Sequence, residues 1–153
     1  AIVAVLAVAC VIFVRYRKLK ILVPMLTWSI IELILVLGAA AMLRWTIDLA
    51  SIAGIIAAIG TGTNDQIVII DEILLGETSN EKYYGLKQRV KRAFFIIFGA
   101  AATVVVAMFP LLIIGIGAMK GFAITTILGL MIGVFITRPA FGKIAEFILK
   151  KEE

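Results

Sequence analysis

The spacing of charged residues constrains the fold of this chain more than any other feature. Long apolar runs are separated by short clusters of basic and acidic residues. A helix of about 20 apolar residues crosses the roughly 30 Å hydrocarbon core of a bilayer. The sequence therefore predicts one all-α domain, a polytopic transmembrane helix bundle. Its five predicted spans are residues 1–14, 21–43, 49–70, 93–115 and 122–141, with the charged segment 71–92 between the third and fourth.

The basic residues indicate how these spans are oriented. Of the 15 lysine and arginine residues, all but Arg44 and Lys120 fall in residues 15–20, in segment 71–92 or from Arg138 onward, beside the inner end of the fifth span. Positive loops stay cytoplasmic. We therefore predict a multi-pass protein of the cell membrane with its first residue outside, its C-terminus inside and its basic residues against membrane lipids, and we predict no nucleic-acid partner.

Two acids lie inside predicted spans. Asp65 follows Asn64 in the third span, and Glu32 lies near the middle of the second. An acid within a membrane helix costs about 2.5–3.5 kcal/mol on insertion scales, so it normally faces a polar interior and has a function. Thr61, Asn64 and Asp65 share one helix face because they are three and four positions apart. We predict that water or threonine hydroxyls link Glu32 to Asp65 in a proton relay. The alternatives are that Asp65 only holds helices together and that Glu32 faces a partner subunit.

Small residues mark close helix contacts and one tight turn. Glycine lets neighbouring backbones approach each other within a membrane. The predicted packing positions are Gly60, Gly62, Gly99, Gly129 and Gly133, and the predicted outer turn contains Gly115, Gly117, Lys120 and Gly121.

The sequence predicts neither a metal site, nor a cofactor, nor an enzyme. Histidine is absent, which removes the commonest metal ligand and the usual proton shuttle at neutral pH. An intramembrane aspartyl protease needs two aspartates at one depth. Here the second buried acid is Glu32, and the other acids near the spans lie at their boundaries.

Two stretches resemble a known family. The third span, IAGIIAAIGTGTNDQIVIIDEI, is similar to the fourth transmembrane segment of the SecD and SecF protein-export subunits, which belong to the RND superfamily. The later stretch RAFFIIFGAAATVVVAMFPLLIIGIGAMKGFAITTILGLMIG resembles their fifth and sixth segments. The segment GTGTNDQIVIIDE resembles archaeal SecD more than bacterial SecD. The resemblance implies five helices of a six-helix half, preceded in the whole protein by a further helix and an extracytoplasmic domain.

The resemblance also implies a function. Family members assist late steps of protein export by proton flow, with a SecF-like subunit and the Sec translocon as partners and a translocating polypeptide as substrate. Asp65 matches the acid of the SecF-type Asn-Asp pair, whereas the SecD-type acid aligns with Asn64. Thr103 matches the first residue of the family's Thr-Thr pair, and Val104 replaces the second. Two other functions stay open at this point: an RND-type exporter of lipids or small molecules, and a structural translocase subunit that transports nothing.

Overall fold

A computed structural model describes residues 2–78 and 86–150 of the chain as helices joined by short connections. The helices are α1 (Ile2–Tyr16), α2 (Leu19–Met42), α3 (Leu49–Thr78), α4 (Leu86–Ile114), α5 (Ala118–Ile132) and α6 (Arg138–Lys150), and a π-helical segment, Gly133–Thr137, joins α5 to α6. No strand occurs in these two ranges. The predicted all-α class is confirmed.

Four stretches are long and apolar enough to cross a membrane. They are Leu19–Met42, Leu49–Leu74, Lys87–Ile114 and Ala118–Ile148, and a shorter apolar helix, Val3–Tyr16, precedes them. The predicted multi-pass helix bundle is thus confirmed. Within the predicted charged segment 71–92, residues 71–78 continue α3 and residues 86–92 begin α4. The part of that segment at 79–85 lies outside the described residues.

The bundle has two ends with different connections. At one end, called the basic end below, α1 turns into α2 at Arg17 and Lys18, α3 ends and α4 begins. At the other, called the turn end, residues 43–48 and 115–117 connect the helices. Gly117 has a φ of 58°, a left-handed backbone that glycine adopts without steric cost, and it allows the tight α4–α5 turn.

Asp48 fixes the start of α3 at the turn end. The backbone N–H of Ser51 donates to Asp48 Oδ1 at 2.7 Å, which satisfies one of the free donors of the first helical turn. Gly121 of α5 lies directly over this cap, because a Cβ there would be 2.7 Å from Ser51 Oγ. The predicted turn residue Gly121 therefore permits α5 to approach the first turn of α3.

α3 is the central helix and α4 the peripheral one. Half of the most apolar window of α3 is buried, against 6% of that of α4. Along the α3–α5 seam, Gly129 packs on Ala58, and Thr125 Oγ1 donates to the carbonyl of Ser51 at 3.1 Å. Because α3 contacts α1, α2, α4, α5 and α6, polar side chains on α3 can be buried between helices.

Candidate functional site

A fully buried arginine joins the two acids that lie inside the spans. Arg138 is 1% exposed, Glu32 1% and Asp65 3%. Arg138 Nη1 donates to Glu32 Oε1 at 2.8 Å, and Arg138 Nε donates to Asp65 Oδ2 at 3.1 Å. Thr137 completes the group: its hydroxyl donates to Glu32 Oε2 at 3.3 Å and accepts from Arg138 Nη1 at 3.1 Å. We call Glu32, Asp65, Thr137 and Arg138 the buried charge cluster.

Three helices bring these side chains together. Glu32 comes from the middle of α2, Asp65 from α3, and Arg138 from the junction between the π-helical segment and α6. The guanidinium has donors on several edges in one rigid plane, so a single arginine can bond two carboxylates from different helices. The cluster therefore ties α2, α3 and α6 to each other inside the bundle.

The local sequence accounts for the π-helical segment that carries Arg138. Pro139 has no N–H, and in a regular α-helix its ring would press on the carbonyl four residues earlier, at Phe135. The wider π turn is placed just before it, at Gly133–Thr137, and the N–H of Arg138 bonds to the carbonyl of Gly133, five residues back. Segments of this kind are rare and are frequent at functional sites.

Two glycines leave room for the guanidinium. A Cβ on Gly133 would overlap Arg138 Nη1, and a Cβ on Gly62 would lie 2.7 Å from Arg138 Nη2 and 2.8 Å from Glu32 Oε2. Gly62 and Gly133 were predicted as positions of close helix packing. In the structure Gly62 adjoins the cluster, and Gly133 makes space for a side chain of its own helix instead of for a neighbouring backbone.

The charge of the cluster depends on one proton. With both acids ionised the two carboxylates and one guanidinium sum to a net negative charge, whereas one added proton makes the cluster neutral. Arginine keeps its charge in proteins, so an acid must take the proton. Burial away from water disfavours an uncompensated charge. The arrangement is therefore suited to bind and release one proton.

The other predicted relay residues lie away from this cluster. Asn64 is exposed on the outer side of α3. Thr61 is partly buried and donates to its own helix at the Ala57 carbonyl, 2.9 Å away. Thr103 is exposed on α4 and donates to the Ala100 carbonyl at 2.7 Å. We predicted a link between Glu32 and Asp65 through water or threonine hydroxyls, and in the structure Arg138 bonds to both acids.

The remaining predicted packing and turn positions vary in their surroundings. Gly60 and Gly99 are exposed, and no described atom lies within 4 Å of the place where a Cβ would be. Lys120 is exposed at the turn end, and Gly115 is buried against the last turn of α4.

Sequence reasoning missed the role of Arg138. The sequence places it among the basic residues at the inner end of the fifth span, and the structure adds that its side chain is buried and bonded to both acids. The signal was available: Phe141, Ile144, Ala145 and Ile148 recur at helical spacing after Arg138, so its helix keeps an apolar face beyond it. An arginine buried by such a face needs an acidic partner, and Glu32 and Asp65 were already candidates.

Comparison with known proteins gives a consistent family match. The sequence profile of the family "Protein export membrane protein SecD/SecF, C-terminal" matches residues 1–146. The chain is 50% identical over 150 residues to the protein-export membrane protein SecD of Thermococcus gammatolerans, which covers 97% of the chain and 29% of the relative. It is 51% identical over 148 residues to SecD of Methanocaldococcus jannaschii, covering 97% and 36%.

A third archaeal relative extends the same result. SecD of Methanothermobacter thermautotrophicus is 52% identical over 150 residues, which is 94% of this chain and 36% of the relative. The chain thus spans about a third of the length of the curated relatives it matches. No solved structure matches it significantly.

Proposed function

Because this chain belongs to the SecD/SecF C-terminal family, we propose that it is the membrane part of a Sec protein-export subunit and that the buried charge cluster couples proton flow to late steps of polypeptide translocation. The observation that carries the proposal is the pairing of two buried carboxylates with one buried arginine. One added proton makes this cluster neutral, so a proton gradient can change its charge without rearranging the helices first.

Asp65 is the acid that we propose takes the proton. Glu32 receives the shorter bond from Arg138, at 2.8 Å against 3.1 Å for Asp65, and a further hydrogen bond from Thr137. More hydrogen bonds to a carboxylate favour its ionised form. Glu32 is then the standing counter-ion of Arg138, and Asp65 exchanges its proton.

Protonation would weaken one contact of the cluster. A neutral Asp65 no longer attracts Arg138 Nε as an ion, so α3 can move relative to α6, while Glu32 keeps Arg138 in place. Moving one charge through 100 mV supplies about 2.3 kcal/mol, comparable with the cost of an ionised acid within a membrane helix. In the whole protein this movement would be passed to an extracytoplasmic domain that holds the translocating polypeptide.

The basic residues indicate how the chain lies in the membrane. The basic end faces the cytoplasm and its lysines and arginines contact lipid headgroups.

A partner subunit could contact the exposed polar residues of α3 and α4. Asn64 and Thr103 are polar, exposed and well inside α3 and α4, and Gly60 and Gly99 leave open space near them. Polar and small residues are enriched where membrane helices meet. We propose that Asn64, Thr103 and the two glycines contact a SecF-like subunit next to the Sec translocon.

The test is Asp65→Asn in the full-length protein, with export measured in membrane vesicles with and without a proton gradient. We expect the variant to assemble and to export at the rate that the wild type shows without a gradient. Asp71→Asn is the matched control, because Asp71 lies on the same helix, is paired with Arg15 and is outside the cluster. Full gradient-dependent export by Asp65→Asn would refute the proposed relay.

A second candidate, a structural subunit without proton coupling, is favoured by one observation. The cluster joins three helices and therefore stabilises the bundle whether or not it exchanges protons. That function predicts that Asp65→Asn lowers the amount of assembled protein while the protein that does assemble exports normally. Quantifying assembled protein beside export separates the two functions.

A further inference from the structure

We propose that Gly133 is a positioning residue: together with the π-helical segment it creates the space in which the Arg138 guanidinium reaches both buried carboxylates. The role in transport assigned to this geometry depends on the function proposed above, whereas the geometry itself can be tested separately. The three atoms nearest to a Cβ on Gly133 would all belong to Arg138, so we expect its effect to act through Arg138.

A side chain at Gly133 would collide with the guanidinium. In a regular α-helix the residue five positions back lies on a different face, but the π turn of Gly133–Thr137 brings Arg138 over Gly133, as their backbone hydrogen bond shows. A Cβ on Gly133 would overlap Arg138 Nη1, the atom that bonds Glu32 Oε1 at 2.8 Å. Alanine at this position would therefore displace the guanidinium itself.

The guanidinium also has little room on its other side, toward α3. Arg138 Nη2 is directed toward Gly62 of α3, where a Cβ would lie only 2.7 Å away. The guanidinium is thus enclosed between two helices at positions that both lack a side chain. A methyl group at Gly133 cannot push the guanidinium toward α3, because Arg138 Nη2 already lies against Gly62. The bonds to Glu32 and Asp65 would have to lengthen.

Gly129 provides a matched control. It lies one turn earlier on α5 and packs closely against Ala58 of α3, so Gly129→Ala also forces a methyl group into the α3–α5 seam. It does not contact Arg138. Gly38→Ala is a second control, since no described atom lies within 4 Å of a Cβ at this position. A general packing effect would appear in both Gly133→Ala and Gly129→Ala.

The experiment uses the full-length protein in lipid nanodiscs and follows the infrared band of protonated carboxyl groups as pH is varied. In Gly133→Ala, the displaced guanidinium should no longer hold both carboxylates, and the titration of the band should shift by about one pH unit or more. Gly129→Ala and Gly38→Ala should leave the titration where the wild type has it. An unchanged titration in Gly133→Ala, or an equal change in Gly129→Ala, would overturn the inference.

A double substitution tests whether the effect passes through Arg138. Lysine lacks the planar group that lies over Gly133, so Gly133→Ala added to Arg138→Lys should produce little further change in the titration. Residues that act through one contact give such non-additive effects. If the two changes are instead additive, Gly133 acts independently of Arg138 and the inference is wrong.

Export measurements separate this inference from the function on which it rests. Gly133→Ala should reduce gradient-dependent export, and Gly129→Ala assembled to the same level should not. A shifted carboxyl titration with unchanged export would support the positioning role and contradict proton coupling. An unchanged titration would contradict the positioning role, whatever Asp65→Asn does to export.

Discussion

α3 carries two aspartates that each bind an arginine at the same distance but in opposite surroundings. Asp65 Oδ2 is 3.1 Å from Arg138 Nε, and Asp71 Oδ2 is 3.1 Å from Arg15 Nη2. The side chains of the first pair are 4% and 1% exposed, whereas those of the second are 31% and 60% exposed. The comparison shows that distance alone does not tell what an ion pair does.

The surroundings decide the energetics of the two pairs. An exposed pair contributes about 0–1 kcal/mol because water and salt screen it. A buried pair has lost its hydration, so removing one partner leaves an uncompensated charge and costs about 3–5 kcal/mol. The exposed pair can therefore be lost with little effect, whereas the buried one makes the bundle sensitive to a single proton.

The pairs also differ in what they connect. Asp71 accepts a hydrogen bond from Tyr16 at 2.7 Å besides its contact with Arg15, so it joins α3 to the last turn of α1. Asp65 shares its arginine with a second acid, Glu32. At the buried site two carboxylates therefore share one cation, whereas, among the described residues, Asp71 has Arg15 to itself. The excess carboxylate is what can hold a proton.

The largest expected effect is that of Arg138→Gln. Without the cation, Glu32 and Asp65 are two buried acids with no positive partner, and we expect a loss of about 3–5 kcal/mol in the free energy of unfolding. The loss should also depend on pH, because removal of the cation changes how firmly the folded state holds the protons of these acids. Unfolding in mixed micelles at several pH values measures both effects.

A compensating substitution sharpens this prediction. Glu32→Gln combined with Asp65→Asn in the Arg138→Gln background removes all three charges, and we expect it to recover most of the lost stability and to abolish its pH dependence. If the triple variant stays as unstable as Arg138→Gln alone, the loss comes from packing and the electrostatic contrast between the two pairs is wrong.

The sequence predicted the acidic half of the cluster but not the basic half. Glu32 and Asp65 stand out because each interrupts an apolar run. Arg138 stands near a group of basic residues, so the positive-inside pattern explained it equally well as a boundary residue. Its burial depends on the π-helical segment. That wider turn arises from Pro139 and from contacts with other helices, which the spacing of apolar residues does not reveal.

The helices themselves were easier to predict than the surroundings of single residues. Apolar runs of sufficient length specify membrane helices with little help from tertiary structure. Which side of a helix meets its neighbours is not fixed in this way, and a one-position difference separates exposed Asn64 from buried Asp65. The predicted face of Thr61, Asn64 and Asp65 is therefore divided between the interior and the surface of α3.

A smaller effect is expected for Tyr16→Phe at the exposed pair. The change removes the hydrogen bond to Asp71 Oδ1 and keeps the ring in place between α1 and α3. A hydrogen bond to a charged group contributes about 1.5–3 kcal/mol when it is buried, and partial exposure here should bring the loss to about 1 kcal/mol. Unfolding of the variant in mixed micelles measures this loss. A loss as large as that of Arg138→Gln would mean that the two sites do not differ as their exposure suggests.

The smallest effect is expected for Arg15→Gln. Arg15 is 60% exposed, so its pair with Asp71 should contribute less than about 1 kcal/mol, and salt should remove most of that contribution. Unfolding measured at low and at high salt should therefore show a small difference from the wild type that disappears as salt increases. Arg138→Gln should keep most of its effect in high salt, because the buried side chains are shielded from dissolved ions. A strongly salt-sensitive Arg138→Gln would show that dissolved ions screen the cluster, and the distinction between a screened pair on the surface and a buried pair inside the bundle would fail.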